Sequence, residues 1–593
     1  MLKNYFKIAF RNLWRHKIFS LINIMGLAVG MTACFLIYLY VTFEMSYDAF
    51  NTKADRIYRV VTDLKTPTET INTSGPAWAV PPFAKNEFPE IEAFVRFAND
   101  NVLVRKGDIK FQEANTMWTD SAVFKVFDFK LLKGDPNTAL KEPFSVVLSQ
   151  TAAKKYFGNA DPIGQTLLLT GEGTPSKVTG LMQDIPENSQ IKADMLVSLI
   201  SLKKYNPSID SQWSNYGSTA YFLLKANTNA QALVKKFPAF LEKRNGDEMK
   251  KIQMYPTILL EPLRDVYLRS TRDDSKTGNI NNVYIFSIVA VFILLIACIN
   301  FINLTTARAA ERAKEVGVRK VVGAEKKQLT AQFIGESVVL CLIAFLLTVL
   351  FSWLLLPLFN QLAGKTISDG IFQHPQYILL LFVASVAMGF IAGIYPALVL
   401  SSFKPVIVLK GRFATGTRGI ILRKGLVVAQ FTISIALIIG TIVVYNQMNY
   451  MRSQDLGFSK DQMMILDTNG DPAKKAFQEA ISGLPGVKST AMSSSVPGGG
   501  NMGAYSEIEN WLVGARLAGC SADGKHTWTC QLTRDGGSNG WIVWNPEGEQ
   551  RMDLPAAWKA RQVRLLSGET KNLNGAKQLS ISFSPQLIES SAR

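Results

Sequence analysis

Five stretches of this chain run without a single Asp, Glu, Lys or Arg: residues 18–43, 277–307, 337–364, 370–403 and 425–451. Each is longer than the roughly 20 residues that carry a helix across a bilayer. A helix on the surface of a soluble domain keeps a polar face. Here the text is apolar all round, as in Phe35-Leu-Ile-Tyr-Leu-Tyr-Val41, Ile288-Val-Ala-Val-Phe-Ile-Leu-Leu-Ile296 and Ile433-Ser-Ile-Ala-Leu-Ile-Ile439. A buried core helix explains one such run but not five. The sequence therefore predicts a membrane α-helical protein with five spans, at 18–44, 281–304, 331–358, 377–400 and 425–446.

Lys and Arg beside a span favour the cytoplasmic side, which orients the chain. Residues 1–17 hold five Lys/Arg and no acid, 305–330 hold seven against three acids, and 402–424 hold six against none. The remaining 46 basic and 44 acidic residues nearly cancel, so the net charge of +17 is a topology signal and not a nucleic-acid footprint. The N-terminus is then cytoplasmic, 45–280 is extracytoplasmic, 305–330 is cytoplasmic, 359–376 is a short outer loop, and 401–424 is a cytoplasmic linker. Met31-Thr-Ala-Cys34 is close to a lipoprotein cleavage box. The apolar and hydroxyl text continues well past Cys34, longer than a signal segment, and favours a retained helix. Ahead of it, Leu2, Phe6, Phe10, Leu13 and Trp14 alternate with Lys3, Lys7, Arg11 and Arg15, which predicts a basic amphipathic helix over 1–17 lying on the lipid bilayer. Gly26/Gly30 and Gly389/Gly393 are small-xxx-small pairs that let helix backbones approach closely.

Between the first two spans, strand-like Ser145-Val-Val-Leu148 and helix-like Ala152-Ala-Lys-Lys-Tyr-Phe157 predict an α+β domain. It contains no cysteine, and Cys34, Cys298 and Cys341 lie in apolar runs as small buried hydrophobes.

After the second span comes Asn303-Leu-Thr-Thr-Ala-Arg-Ala-Ala-Glu-Arg-Ala-Lys-Glu-Val-Gly-Val-Arg-Lys-Val-Val-Gly-Ala324. At helical spacing Arg308 shares a face with Arg312, and Glu311 with Glu315, giving a charged helix that ends near Gly317. The pattern Arg308, Glu311, Arg312, Glu315, Val316, Gly317, Arg319, Gly323, Ala324 resembles the FtsX-like permeases of MacB-type ABC transporters. Further stretches resemble the same family in order, among them Tyr47-Asp-Ala-Phe50, Asp55-Arg-Ile-Tyr-Arg-Val60, Leu132-Lys-Gly-Asp-Pro136, Ile185-Pro-Glu-Asn-Ser189 and Gly389 to Pro396, so that the likeness covers about residues 1–495. Asn51 stands where many relatives carry His.

The resemblance implies a MacB-like periplasmic core domain at 45–280 and a loop at 305–330 that docks on a separate ABC ATPase through Arg308, Glu311, Arg312, Glu315, Gly317, Arg319 and Gly323. It also implies a homodimer or a pair with a related permease in the bacterial inner membrane. Movement of the loop would reach the outer domain through the first two spans, with transport, efflux or lipoprotein and peptide handling as the outcome. In long family members a four-span unit is repeated, and 425–446 with 447–497 reads as the start of a truncated second copy.

No catalytic constellation accompanies this. The nearest phosphate loop, Gly364-Lys-Thr366, has Phe359 where the first glycine is needed, and Gly498-Gly-Gly-Asn-Met-Gly503 lacks a strand-turn-helix setting. His16, His374 and His526 fall on separate segments, so neither a metal site nor a nucleophile-base pair is assembled, and the expectation is a chain without cofactor, metal or enzymatic activity of its own.

From 498 to 593 the text turns to short aromatic and β-branched runs, Thr527-Trp-Thr-Cys-Gln-Leu-Thr533, Trp541-Ile-Val-Trp544 and Leu579-Ser-Ile-Ser-Phe583, which predict a small all-β sandwich-like tail. Cys520 and Cys530 flank Asp523-Gly524 and fit either a disulfide across a hairpin or two free thiols. The stretch from Trp511 to Glu589 resembles the β-sandwich that ends some secreted glycoside hydrolases. Trp511, Trp528, Trp541, Trp544 and Trp558 fit a sandwich core better than a glycan-binding surface, although glycan contact by the tail remains the alternative function. The tail reads as a fusion or as a join of two unrelated pieces, and a join fits better because the fifth span lacks its companions.

Overall fold

The structure is a computed structural model, and it describes residues 17–67, 69–272, 278–307, 316–368, 370–402, 417–453, 464–466, 474–492, 515–534, 539–545, 548–565, 570–573, 575–582 and 585–590. The chain forms two compact units, Met1–Asn449 and Tyr450–Arg593. The amphipathic helix expected over 1–17 lies, apart from Lys17, outside the described residues.

Among the described residues, five helices are long and apolar enough to cross a membrane: Lys17–Met45, Ile280–Ala307, Lys326–Ala363, Pro375–Ser402 and Thr417–Ser453. The third starts inside the segment read as loop, because Glu325 and Gln328 form a reciprocal capping box that satisfies its first backbone donors. It ends at Gly364, whose φ of +64° is the left-handed conformation that glycine takes up freely. The first four helices share cores. One joins Leu27, Ala28 and Met31 to Ala297, Cys341, Ala344 and Met388. The other joins Phe35, Leu36 and Leu39 to Leu356, Ile367, Ile371 and Leu381. The fifth helix buries none of its described side chains.

The large domain is built on a sheet of eleven strands: β1 Ile57–Lys65, β2 Thr70–Thr73, β3 Ile91–Lys106, β4 Ile109–Thr119, β5 Leu131–Lys133, β6 Ser145–Ser149, β7 Thr166–Leu169, β8 Thr174–Met182, β9 Met195–Ser198, β10 Thr219–Leu224 and β11 Tyr255–Pro262. The order is β11-β1-β10-β3-β4-β9-β6-β8-β5, with β2 on β1 and β7 bridging β3 and β8. Pairing is antiparallel except for β4 with β9 and β6 with β8. Alternation along β10 explains the two layers. Phe222 and Leu224 face the helix Phe237–Ile252 through Phe237, Phe240 and Leu241. Tyr221 and Leu223 face the opposite core of Ile57, Phe97, Phe127 and Leu263. The helix at 150–157 begins at Ser149, whose side chain accepts from the Ala152 N–H.

Immediately after the first long helix, residues 46–51 are tied to the loop 186–190. Asp48 N–H donates to Asn188 O at 2.8 Å, Ser189 Oγ donates to Asp48 Oδ1 at 2.8 Å, and Asn188 Nδ2 donates to Ser46 O at 3.0 Å. Asn51 is buried, and its Oδ1 accepts from Asp128 N–H at 3.0 Å, so its amide has a structural role.

The C-terminal unit holds a six-stranded antiparallel sheet, in spatial order Ala515–Ala522, Trp528–Arg534, Asn539–Trp544, Gln586–Glu589, Gln562–Leu565 and Thr570–Asn572, and a two-stranded sheet of Gln550–Asp553 and Gln578–Ile581. Trp541 is buried and stacks on Trp558 with ring centroids 4.7 Å apart, while Trp528, 39% exposed, stacks on Trp544 at 5.8 Å. The tryptophans thus divide between core and surface, and Trp511 lies outside the described residues. Cys520 and Cys530 face each other across two antiparallel strands and form a disulfide.

Candidate functional site

The sequence directs attention to the loop between the second and third helices. Arg308, Glu311, Arg312 and Glu315 lie outside the described residues. From Val316 onward the geometry is explicit. Residues 316–321 are helical, so the chain is still helical after Gly317, where a helix end was expected. It closes at Gly323, φ +100°, with Gly323 N–H donating to Lys320 O at 3.1 Å and Ala324 N–H to Arg319 O at 3.0 Å, a Schellman-type cap. A Cβ at Gly323 would meet no atom within 4 Å, so backbone conformation and not space selects glycine there.

Val316 is buried among Leu329, Phe333 and Ala397, which seats the short helix against the third and fourth long helices. Arg319 Nη1 donates to Gln332 Oε1 at 2.8 Å, and Gln332 Nε2 passes the contact on to Glu336 Oε1 at 3.0 Å. Arg319 is therefore a strut that holds the loop to the third helix. Burial, and after it the neighbouring Lys326, hold the Lys320 ammonium below its usual pKa. Val318, Val321 and Val322 point away from this seat, and Val322 is 83% exposed. Three exposed valines beside Arg and Lys make a small apolar knob with a basic rim. In the sequence the signal for these valines is Val-Arg-Lys-Val-Val between two glycines, overshadowed by the charges around it.

The four glycines of the small-xxx-small pairs lie at helix contacts. A Cβ at Gly30 would stand 2.7 Å from Ala297 Cβ, and one at Gly26 would stand 3.4 Å from Asn300 Nδ2, so this pair faces the second helix. Cβ atoms at Gly389 and Gly393 would stand 2.8 Å from Val338 Cα and 2.8 Å from Ser337 Cβ, so that pair faces the third. Among the described residues no group of three or more His, Cys, Asp and Glu could hold a metal ion.

Two family models match the chain in this order: the MacB-like periplasmic core domain over residues 20–240 and the FtsX-like permease C-terminal domain over residues 287–405. Among curated proteins, the macrolide export ATP-binding/permease protein MacB of Escherichia coli is 28% identical over 307 residues, covering 48% of this chain and 42% of that protein. The protein of the same name from Agrobacterium fabrum is 24% identical over 420 residues, covering 68% and 59%. The chain thus spans about half the length of these relatives. Among solved structures, a domain of a permease protein from Porphyromonas gingivalis aligns with 40% of this chain and 98% of its own length at 20% identity and TM-score 0.34. The periplasmic region of MacB from Actinobacillus actinomycetemcomitans aligns with 36% and 90% at 13% identity and TM-score 0.27.

Proposed function

Because this chain is an FtsX/MacB-type ABC transporter permease across residues 20–240 and 287–405, we propose that it works as the membrane subunit of a transporter whose ATPase is a separate chain. The observation that carries the reading is the order of its parts: a periplasmic core domain between the first two spans, then an FtsX-like segment holding the seated loop at 316–324. The ATPase docks on that loop, with Arg308, Glu311, Arg312 and Glu315 setting register by charge and the Val318, Val321 and Val322 knob supplying the desolvated centre. Hydrolysis in the partner moves the loop, and the stiff spans pass that movement to the extracytoplasmic domain. The bacterial inner membrane is its setting, with the N-terminus in the cytoplasm and two copies, or this chain and a related permease, meeting two ATPase subunits. Efflux and lipoprotein or peptide handling are the substrate classes consistent with this mechanism. Glycan contact through the tail is not favoured, since both family matches lie outside residues 498–593.

The test is co-purification from native membranes of the full chain with its ATPase. Glu311→Lys, Arg312→Glu, Glu315→Lys and Val322→Asp each abolish retention of the ATPase while the melting temperature of the permease stays within a few degrees. Retention in all four variants refutes the docking assignment.

A further inference from the structure

Where the long helices meet the large domain, one buried cluster joins three segments remote in sequence. Glu44, in the last turn of the first helix, is 3% exposed. Its Oε1 accepts from Lys365 Nζ at 2.7 Å and its Oε2 from Tyr267 Oη at 2.9 Å. Lys365 Nζ also donates to Tyr267 Oη at 2.6 Å, which closes a triangle. Tyr47 lies flat on Tyr267, with ring centroids 3.3 Å apart and planes 4° from parallel, and the Lys365 ammonium lies 5.4 Å and 5.3 Å from the two ring centres.

Each corner belongs to a different body. Glu44 belongs to the first span. Tyr267 belongs to the helix Leu263–Arg269, which follows β11 directly and is anchored in the domain core through Leu263. Lys365 is the first residue after Gly364, where the third span ends, and its own N–H donates to Asn360 O at 3.2 Å. Asn360 pins the rest of that loop, donating through Nδ2 to Ser368 O at 3.1 Å and accepting through Oδ1 from Ile367 N–H at 3.1 Å. The loop therefore travels with the end of the third span. Hydrogen bonds of this length fail once donor and acceptor separate by about an ångström. A buried carboxylate that loses its ammonium is strongly disfavoured, so the cluster is either made or broken, with little between.

We propose that Glu44, Lys365 and Tyr267 form a latch through which the loop between the third and fourth spans grips the large domain, so that displacement of the third and fourth spans reaches that domain directly as well as along the first and second. This deepens the permease reading and rests on it for its purpose. Its test does not need the ATPase. Hydrogen exchange of the full chain in lipid nanodiscs is read at residues 263–272, after perturbing the far side of the loop with Asn360→Ala. In the otherwise unaltered protein, Asn360→Ala raises exchange at 263–272 about threefold or more. In a Glu44→Gln/Lys365→Met background, which leaves no buried unpaired charge, exchange there is already raised and Asn360→Ala adds nothing. Unchanged exchange at 263–272 on Asn360→Ala, or an equal increase in both backgrounds, overturns the latch. The charge exchange Glu44→Lys/Lys365→Glu serves as the second variant, and recovery of at least half the lost protection is expected. Failure of the ATPase to co-purify would refute the docking assignment and leave this exchange result standing on its own.

Discussion

Replacing Gly30 by Ala places a methyl group 2.7 Å from Ala297 Cβ, where ordinary contact begins near 3.4 Å. The first and second spans must then part by close to an ångström along that seam. Two effects oppose each other. Alanine is the better helix former by about 1 kcal/mol. Overpacking a tight contact costs about 1–3 kcal/mol, because separation also weakens dispersion along the neighbouring turns. The clash is expected to prevail, giving a net loss of about 0–2 kcal/mol for Gly30→Ala. Gly335 supplies the control, since a Cβ there meets nothing within 4 Å and Gly335→Ala retains only the helix gain. The decisive measurement is a double-mutant cycle with Ala297→Gly, read by reversible unfolding in bicelles. Removing the facing methyl relieves the clash, so the coupling energy should equal the overpacking cost, about 1–3 kcal/mol in the rescuing direction. Additivity within about 0.5 kcal/mol would show that the two residues do not press on each other, and the close-approach account of this helix pair would fall.

Two further predictions concern single buried polar groups. Burial raises the Asp48 carboxyl from 3.8 to about 6, against the lowering effect of its hydrogen bonds to Ser189 and Gln190. The folded state then holds the extra proton between pH about 4 and 6, so stability is greatest below that window and falls as pH rises through it, by up to about 3 kcal/mol. Asp48→Asn, at a φ of +55° that asparagine tolerates, should flatten denaturation midpoints across this range and gain stability at pH 7, and an unchanged slope would assign the dependence elsewhere. Asn23 lies buried in the first span with neither side-chain amide atom hydrogen-bonded, so Asn23→Leu should stabilise by about 1–3 kcal/mol in the same bicelle unfolding assay, and destabilisation would mean that the amide is satisfied in the folded protein.

What the sequence made legible were features carried by adjacent residues. A continuous apolar run declares a long helix by itself, and the five runs correspond to the five helices long and apolar enough to cross a membrane. The strand at Ser145–Ser149 and the helix at Gln150–Phe157 were legible for the same reason, since a short β-branched run and a Ser cap are local signals. The choice between Gly317 and Gly323 as helix end was not. Both are glycines, and the decision rests on Val316 finding Leu329, Phe333 and Ala397, which keeps the turn helical past Gly317. Glu325-x-x-Gln328 is a readable start signal for the third helix, but a carboxylate in a basic loop reads as easily as one more charge of that loop.

The Glu44 cluster was illegible for a stronger reason. An acid at the end of an apolar run reads as an ordinary flank, and Lys365 drew notice only inside a failed phosphate-loop pattern. Its meaning arises from a partner 321 positions away. That separation also bears on mechanism. The first and second long helices close on Gly30 and Ala297, the third and fourth on Gly389 and Val338, and the core of Leu27, Met31, Ala297, Cys341 and Met388 packs the two pairs against each other. The loop at 305–330 joins the second span to the third, one member of each pair. On the proposed reading, a partner that moved this loop would act on both pairs at once, and any slip between them across the shared core would be felt at the far end where Lys365 meets Glu44. A rigid four-helix block would deliver the same displacement to the whole domain. Two pairs sliding across their shared core would instead tilt the domain about the proposed latch, and the ammonium of Lys365 would then set the direction of movement.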